Sequence, residues 1–460
     1  MPDVARRRAV VAQHSHRAPS SSLSDSARWF AGSYAVAILG YLGVIAAAGR
    51  LLGPADLGAF LVVVTATGLV GQAGLVGVHR SGLREVARLG PDDRDELARL
   101  RDGATAVNVI VLPAASLLTA VVCWLLRGAR ATWPELLLAA LAGSLVHLSA
   151  QQKLCGACLR GFGHTRLAAL IEGRSGGALV AALQAVLVLA VWVAAPGWGL
   201  TGALAAVALG YLLPLPLAYA VLRRRWGRMR VSRTLVADLR GVVRRDWRFA
   251  VSQAGGFANA SIDLWLCAAL LGVTASSHFG AAQRLAQLVL LPSAALGTVV
   301  SPAVARLSAR HDPQRLESLV RTVTTLALVG SVLLALPLVV LPHQVLRLVT
   351  GPGFATAAAV LVLLTLGYVA NAVSGLSGIT LSMTHHEGSA AAVQWGGVVL
   401  RAAVCTVSAW AWGVVGLAAA SAASTLVVYA AMWAQARRHL GVLTHVTLRP
   451  RPGLLARTAA

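Results

Sequence analysis

Apolar runs of ~20 residues succeed one another from Trp29 to Trp433, and each is long enough to cross the ~30 Å hydrocarbon layer of a bilayer as an α-helix. Inside that layer every backbone amide and carbonyl needs a partner within the chain, which leaves helices or a closed barrel as the spanning structures. Barrel strands are shorter and alternate in polarity; these runs do neither. With a mean hydropathy of +0.71 and only 12% charged residues, the sequence specifies an all-α polytopic membrane protein.

The runs predict about twelve spans. They fall at 28–49, 57–79, 103–126, 134–155, 167–195 and 198–222 in the first half, and at 247–272, 279–303, 318–341, 357–383, 389–411 and 413–434 in the second. The run 167–195 is too long for a straight crossing and is expected to tilt or to extend into the interface. Arginines then give the orientation. Arg80, Arg84, Arg88, Arg94, Arg99 and Arg101 fill the gap after the second span, and nine arginines from Arg223 to Arg245 fill the gap after the sixth. Arg306, Arg310 and Arg315 follow the eighth span, and Arg437 and Arg438 the last. The opposite gaps hold only Arg50, Arg127, Arg130 and Arg347. Basic loops stay on the cytoplasmic side, so both termini are expected there, with the chain in the inner (cytoplasmic) membrane. The resulting division is a disordered cytoplasmic tail at 1–27, a six-helix lobe at 28–222, a basic cytoplasmic linker at 223–246, a second six-helix lobe at 247–434 and a cytoplasmic tail at 435–460.

A net charge of +23 would suggest nucleic acid if the chain were soluble. Here the loop arginines account for it and no nucleic-acid partner is expected, although basic loops do attract anionic lipid head groups. Cys155-Gly-Ala-Cys158 has the spacing of redox or zinc sites. No second cysteine pair or histidine cluster completes a tetrahedral site, and small residues packed at a helix end explain the pattern better. Residues 1–26, with Arg6-Arg7-Arg8 and the Ser20–Ser22 run, lack the short apolar stretch and cleavage site of a removable signal peptide. No cofactor or metal is expected.

The two halves echo each other. Phe30-Ala31-Gly32-Ser33 matches Phe249-Ala250-Val251-Ser252, and the same offset pairs Leu51-Leu52-Gly53 with Leu270-Leu271-Gly272. Six spans per half give the repeats one membrane orientation, related by an axis along the membrane normal.

Further motifs carry a family resemblance. Arg50-Leu-Leu-Gly-Pro-Ala-Asp-Leu-Gly-Ala-Phe60, then Gly71-Gln-Ala-Gly74-Leu-Val-Gly-Val-His-Arg80, lie around the second span; Gln72 stands near where an acid is common. The second half adds Asp263, Leu271-Gly272, Phe279-Gly-Ala-Ala-Gln-Arg284-Leu, Pro302 with Ala303 to Leu307, and Gly351-Pro-Gly353-Phe354. Together these resemble the polysaccharide, or lipid-linked oligosaccharide, flippases of the multidrug/oligosaccharidyl-lipid/polysaccharide exporter superfamily. The resemblance implies two six-helix lobes forming a V around a central cavity that opens alternately to either side. Its usual cargo is an undecaprenyl-pyrophosphate-linked oligosaccharide, moved from the cytoplasmic to the outer leaflet for cell-surface polysaccharide biosynthesis. The partners so implied are that lipid-linked oligosaccharide, the surrounding lipids, glycosyltransferases or a polymerase, and a coupling cation.

Ionisable groups deep in a span are costly and face a cavity or a partner. Asp263 and Arg284 fall at similar depth on consecutive spans, either as a structural ion pair or as a switch in which cargo phosphate competes for Arg284. Arg401 lies near the midplane of the eleventh span with no acidic partner evident. Its planar fork suits a pyrophosphate; pairing with a helix C-terminus or a buried carbonyl is the plainer reading. Glu172 and Arg174 lie in the fifth span near Lys153, the only lysine in the chain. A Lys153–Glu172 pair would leave Arg174 to meet a head group. Arg284, Arg401 and Arg174, with Asn259 and Asn371, are thus the candidate substrate contacts, and Asp263 and Glu172 the candidate ion-coupling carboxylates. Asn108, His147, Gln253 and Gln283 face the same choice between sugar hydroxyls and helix–helix hydrogen bonds.

Three other functions compete with a flippase of this cargo. An ion-coupled multidrug antiporter of the same superfamily would extrude cations and need cavity carboxylates, which are scarce here. A peptidoglycan-precursor flippase generally has two more C-terminal helices. A membrane enzyme would need a nucleotide loop, an acidic metal motif or a large extracytoplasmic loop, and none is evident.

Overall fold

Each Leu-Leu-Gly sequence ends the first crossing of its half, and both glycines take a backbone that side-chain-bearing residues avoid. Gly53 sits at φ 61°, ψ −171° and Gly272 at φ 88°, ψ 176°. The internal echo is therefore a repeated turn, made where the chain leaves one crossing and starts back along the next.

The computed structural model describes residues 23–447 except 80–81, 83–85, 87–92, 129–131, 173–176, 228–233, 310–311 and 385. The helices of the first half are α1 (Leu23–Gly74), α2 (Arg94–Ala106), a π-helical turn (Val107–Val111), α3 (Leu112–Leu126), α4 (Trp133–Gly161), α5 (Thr165–Ile171), α6 (Ala178–Ala194), α7 (Gly199–Leu212) and α8 (Leu215–Trp226). The second half has α9 (Leu235–Leu271), α10 (Val273–Ala286), a 3-10 turn (Gln287–Leu290), α11 (Leu291–Ala309), α12 (Pro313–Val340), α13 (Pro342–Val349), α14 (Ala358–Ser374), α15 (Ser377–Met383) and α16 (Glu387–Leu440). Eight continuous helical stretches are long and apolar enough to cross a membrane, and two of them, within α1 and α16, are long enough for two crossings each. Counting those twice, and adding α6 and the broken α10–α11 pair, gives the twelve crossings expected. Within α16 the reversal is direct. Arg401 Nη1 donates to Ser421 Oγ at 3.3 Å, two positions that a straight helix would hold ~30 Å apart. The fold-back lies at Trp412 and Gly413, the latter at φ 60°.

Several expected boundaries are revised. The run 167–195 is broken rather than tilted: α5 ends at Ile171, α6 starts at Ala178, and Glu172 falls in the break. The segment 223–246 is no simple linker, since its first residues finish α8 and its last twelve are the opening turns of α9. The tail expected from residue 435 is helical to Leu440 and then docks. Thr324 Oγ1 donates to the Thr444 carbonyl at 3.0 Å, and Thr444 Oγ1 to that of Ser374 at 3.1 Å. The Leu443 amide donates to Glu317 Oε2 at 3.2 Å, and the Thr447 amide to Thr325 Oγ1 at 3.0 Å. Residues 441–447 thus strap α12 to the end of α14. Residues 1–22 and 448–460, both assigned above to tails, lie outside the described residues.

We call the end of the bundle that holds α8's end and the start of α9 the linker side, and the opposite end the distal side. Lipid is as apolar as the helices it surrounds, so close van der Waals packing holds such helices together, and the core shows how the two lobes meet. One buried cluster runs through both lobes on the distal half, joining Ile45, Leu57 and Phe60 to Leu264, Phe279 and Phe354. Toward the linker side the core divides. Leu75, Leu100, Leu154 and Trp226 belong to one cluster built on the first lobe and joined by Val242 from the opening turns of α9, and Val300, Leu319, Val323 and Val442 to another in the second lobe. A V joined at the distal end and divided at the linker end is the shape this core describes.

Candidate functional site

The distal junction is built from small residues in close approach. The Gly58 amide donates to Ser277 Oγ at 2.6 Å, and a Cβ on Gly58 would stand 2.3 Å from Ser276 Oγ and from the Val273 carbonyl. A Cβ on Gly353 would meet Pro54 Cγ at 2.8 Å, one on Gly49 the Thr350 carbonyl at 2.8 Å, and one on Gly280 a Leu61 methyl at 2.5 Å. Two seams run from this junction toward the linker side. Along the first, α9 lies antiparallel to the second crossing of α1. Trp265 Nε1 donates to Thr65 Oγ1 at 3.0 Å and Gln72 Nε2 to Gln253 Oε1 at 2.9 Å. Lys153, from α4, donates to Gln72 Oε1 and lies over the Phe257 ring at 5.8 Å. Along the second seam, α10 faces the first crossing of α1 as far as Arg284. Its guanidinium lies over the Tyr41 ring at 5.9 Å and donates to Gln287 Oε1 at 3.3 Å. Beyond it the 3-10 turn breaks the eighth crossing, and α11 packs on α12 and α15 of its own lobe. A short 3-10 stretch within a helix commonly marks a hinge.

Arg284 is accordingly where the two lobes part on this seam. Its Nε and the Tyr41 hydroxyl are both buried without a hydrogen-bond partner, and among the described residues no carboxylate lies within ion-pairing distance of it. A guanidinium with an unpartnered donor has the chemistry to bind an anion.

The other expected charges are differently placed. Asp263 does not pair with Arg284. It accepts from Arg401 Nη1 at 2.6 Å and from Ser421 Oγ at 2.6 Å, while Arg401 Nη2 donates to Thr425 Oγ1 at 2.8 Å. Arg401 therefore has the acidic partner that the sequence did not reveal, and the pair is closed inside the second lobe, the carboxylate fully buried. Glu172 pairs with Arg160 rather than Lys153, because the helix break carries it back over the last turn of α4. Arg174 lies outside the described residues. Asn259 sits between α9 and α16, its Oδ1 buried and without a partner, and Asn371 is buried on α14. Asn108, His147 and Gln151 form an internal network of the first lobe with Tyr219, Gln151 Nε2 donating to Asn108 Oδ1 at 2.7 Å. Tyr41 was not singled out by sequence. Its one signal is a tyrosine within an otherwise apolar span.

The profile of the MatE family matches residues 257–407, about a third of the chain. The probable low-salt glycan biosynthesis flippase Agl15 of Haloferax volcanii is 27% identical over 220 residues, a stretch that spans 45% of either chain. Among solved structures, an inward-facing multidrug resistance MATE family transporter covers 89% of this chain and 95% of its own at a TM-score of 0.64 and 16% identity. Twelve crossings in two lobes, the matched profile and this fold agree.

Residues 257–407 match the MatE family, and the fold over most of the chain is similar to that of a MATE transporter.

A second solved structure with a similar fold is a MOP superfamily transporter from Pyrococcus furiosus, described by a reversed polarity of its binding pocket. It shares 14% identity and a TM-score of 0.51, covering 91% of this chain and 97% of its own. The apolar helices make this a multi-pass membrane protein, and the chain spans less than half the length of the curated relative it matches.

Proposed function

We propose that this transporter is a flippase for a polyprenyl-pyrophosphate-linked oligosaccharide, carrying it from the cytoplasmic to the outer leaflet by alternating access for cell-surface polysaccharide biosynthesis. Arg284 carries the reading. It is a half-buried cation at the parting of the lobes whose Nε is buried without a partner, while Asp263, the carboxylate at similar depth in the same lobe, is neutralised by Arg401. The charge offered at the seam is positive, which favours a phosphate-bearing cargo over an organic cation. The name of the Haloferax volcanii relative points the same way. The arginine-rich linker side faces the cytoplasm in this reading, so the described state is joined at the outer end and parted toward the cytoplasmic leaflet, where such a cargo is made.

The deciding experiment is transport in proteoliposomes with a fluorescent polyprenyl-pyrophosphate oligosaccharide. The intact protein moves it, Arg284→Gln does not, and both reconstitute equally. If Arg284→Gln transports at the full rate, or if the intact protein moves organic cations and leaves the lipid in place, the antiporter replaces the flippase.

A further inference from the structure

We propose that Arg50 is a positioning residue, a latch that holds the two lobes together at the distal end and must let go before that end opens. Arg50 closes the first crossing of the first lobe. Its Nη1 donates to the Val349 carbonyl and its Nη2 to the Leu348 carbonyl, each at 2.5 Å, and Nη1 also reaches the Ala46 carbonyl of its own helix at 3.2 Å. Leu348 and Val349 belong to the last turn of α13 in the other lobe. The last carbonyls of a helix lack intrahelical donors, and here the Thr350 and Gly351 amides both turn back to Leu346 instead. The two carbonyls are left to the guanidinium, which meets the negative end of the helix dipole with a fork of two parallel donors.

What surrounds the latch explains why one is needed. The rest of the junction is the buried apolar cluster, close-packed glycines and the Gly58–Ser277 amide–hydroxyl bond, contacts that permit close approach and add little directed attraction. The Gly58–Ser277 and Leu61–Gly280 contacts both join positions 219 apart, the offset of the internal repeat. The position in the second half equivalent to Arg50 is Ala269, so the latch is a one-sided addition to a junction otherwise made by matching parts. Arg50 is also exposed, where water competes for its donors and keeps the bond reversible.

The proposal rests on the lobes moving and is independent of the cargo. It is tested on the full chain in nanodiscs, where both membrane faces meet the reagent. A Ser277→Cys reporter, buried at the junction, is modified with a maleimide and followed at that peptide by mass spectrometry. Adding Arg50→Ala is expected to raise the rate at position 277 about tenfold or more, since two charge-assisted hydrogen bonds are lost. Arg50→Lys, a point charge without the fork, gives a smaller rise, and the buried Cys405 stays protected throughout. An unchanged rate at position 277 in Arg50→Ala overturns the latch. So does a rise matched at Cys405, because it would report general loosening of the protein.

Discussion

Asp263 of α9 and Arg401 of α16 form an ion pair of 2.6 Å in the interior of the second lobe, with Ser421 donating to the carboxylate and Thr425 accepting from the guanidinium, while Arg401 Nε is buried without a hydrogen-bond partner. Bringing two charges out of water is costly, and the cost is recovered only when the pair is well made and otherwise satisfied. The consequence is asymmetric. Removing either partner alone strands a charge, whereas removing both leaves an ordinary apolar contact.

Asp263→Leu or Arg401→Leu alone should therefore destabilise the lobe by about 3–5 kcal/mol, and the double variant should recover most of that loss. Thermal unfolding in nanodiscs of the two singles and the double gives the coupling. Additive losses would show that the pair contributes nothing as a pair.

This pairing was not legible in the sequence, and the reason is geometric. Counting residues along a span gives a depth, which set Asp263 beside Arg284 and left Arg401 near the midplane without an acid. It does not give the direction in which a helix presents a side chain, which depends on α9 packing against α16 as well as α10. Glu172 shows a different limit. Its partner was misjudged because 167–195 reads as one apolar run, whereas the helix ends at Ile171 and the extended backbone of Glu172 turns the carboxylate toward Arg160. Length, hydropathy and arginine placement were enough for the number of crossings and the two lobes, because the bilayer imposes those directly.

Tyr41→Leu should weaken cargo capture while leaving the fold intact. The ring supplies a cation–π contact to Arg284 worth about 0.5–2 kcal/mol, so a rise of a few-fold in the cargo concentration for half-maximal flipping is expected. Tyr41→Phe keeps the ring and should behave as the intact protein. Equal behaviour of Leu and Phe at this position would remove Tyr41 from the site.

Gly58→Val should be poorly tolerated, because its first carbon alone would stand 2.3 Å from a backbone carbonyl. The lobes must then separate at the distal end. Faster maleimide modification of a Ser277→Cys reporter, with expression retained, is the expected outcome; an unchanged rate would mean that the helices shift without parting.

Truncation after Thr447 should be neutral, and truncation after Leu440 should lower the melting temperature. The shorter chain loses the strap and leaves Thr324 and Glu317 without the partners they have here. Gly375→Ala should act like the shorter truncation, since Gly375 is at φ 81° and its Cβ would stand 2.0 Å from the Thr444 carbonyl. Differential scanning fluorimetry of the three variants checks both statements.

The strap should also loosen in acid. His445 accepts from Trp433 Nε1 at 3.2 Å, and burial pushes its pKa below the usual range, helped by Arg321 and Arg437 and opposed by Glu317. The unfolded strap therefore binds a proton more readily than the docked one. The stabilisation is complete above the ordinary imidazole pKa of about 6.5 and is lost as pH falls below it. Hydrogen-exchange protection factors at residues 442–447, corrected for the intrinsic pH dependence of exchange, should fall between about pH 7 and pH 5, and His445→Gln should flatten that dependence.

A contact between equivalent positions, such as Gly58 with Ser277, is what an isologous dimer makes about its two-fold axis. In a true dimer each such position must suit both roles, because each chain supplies both. Fusion into one chain removes that constraint. Position 58 has become a bare backbone donor and position 277 a hydroxyl acceptor, a division of labour that no pair of identical subunits could hold.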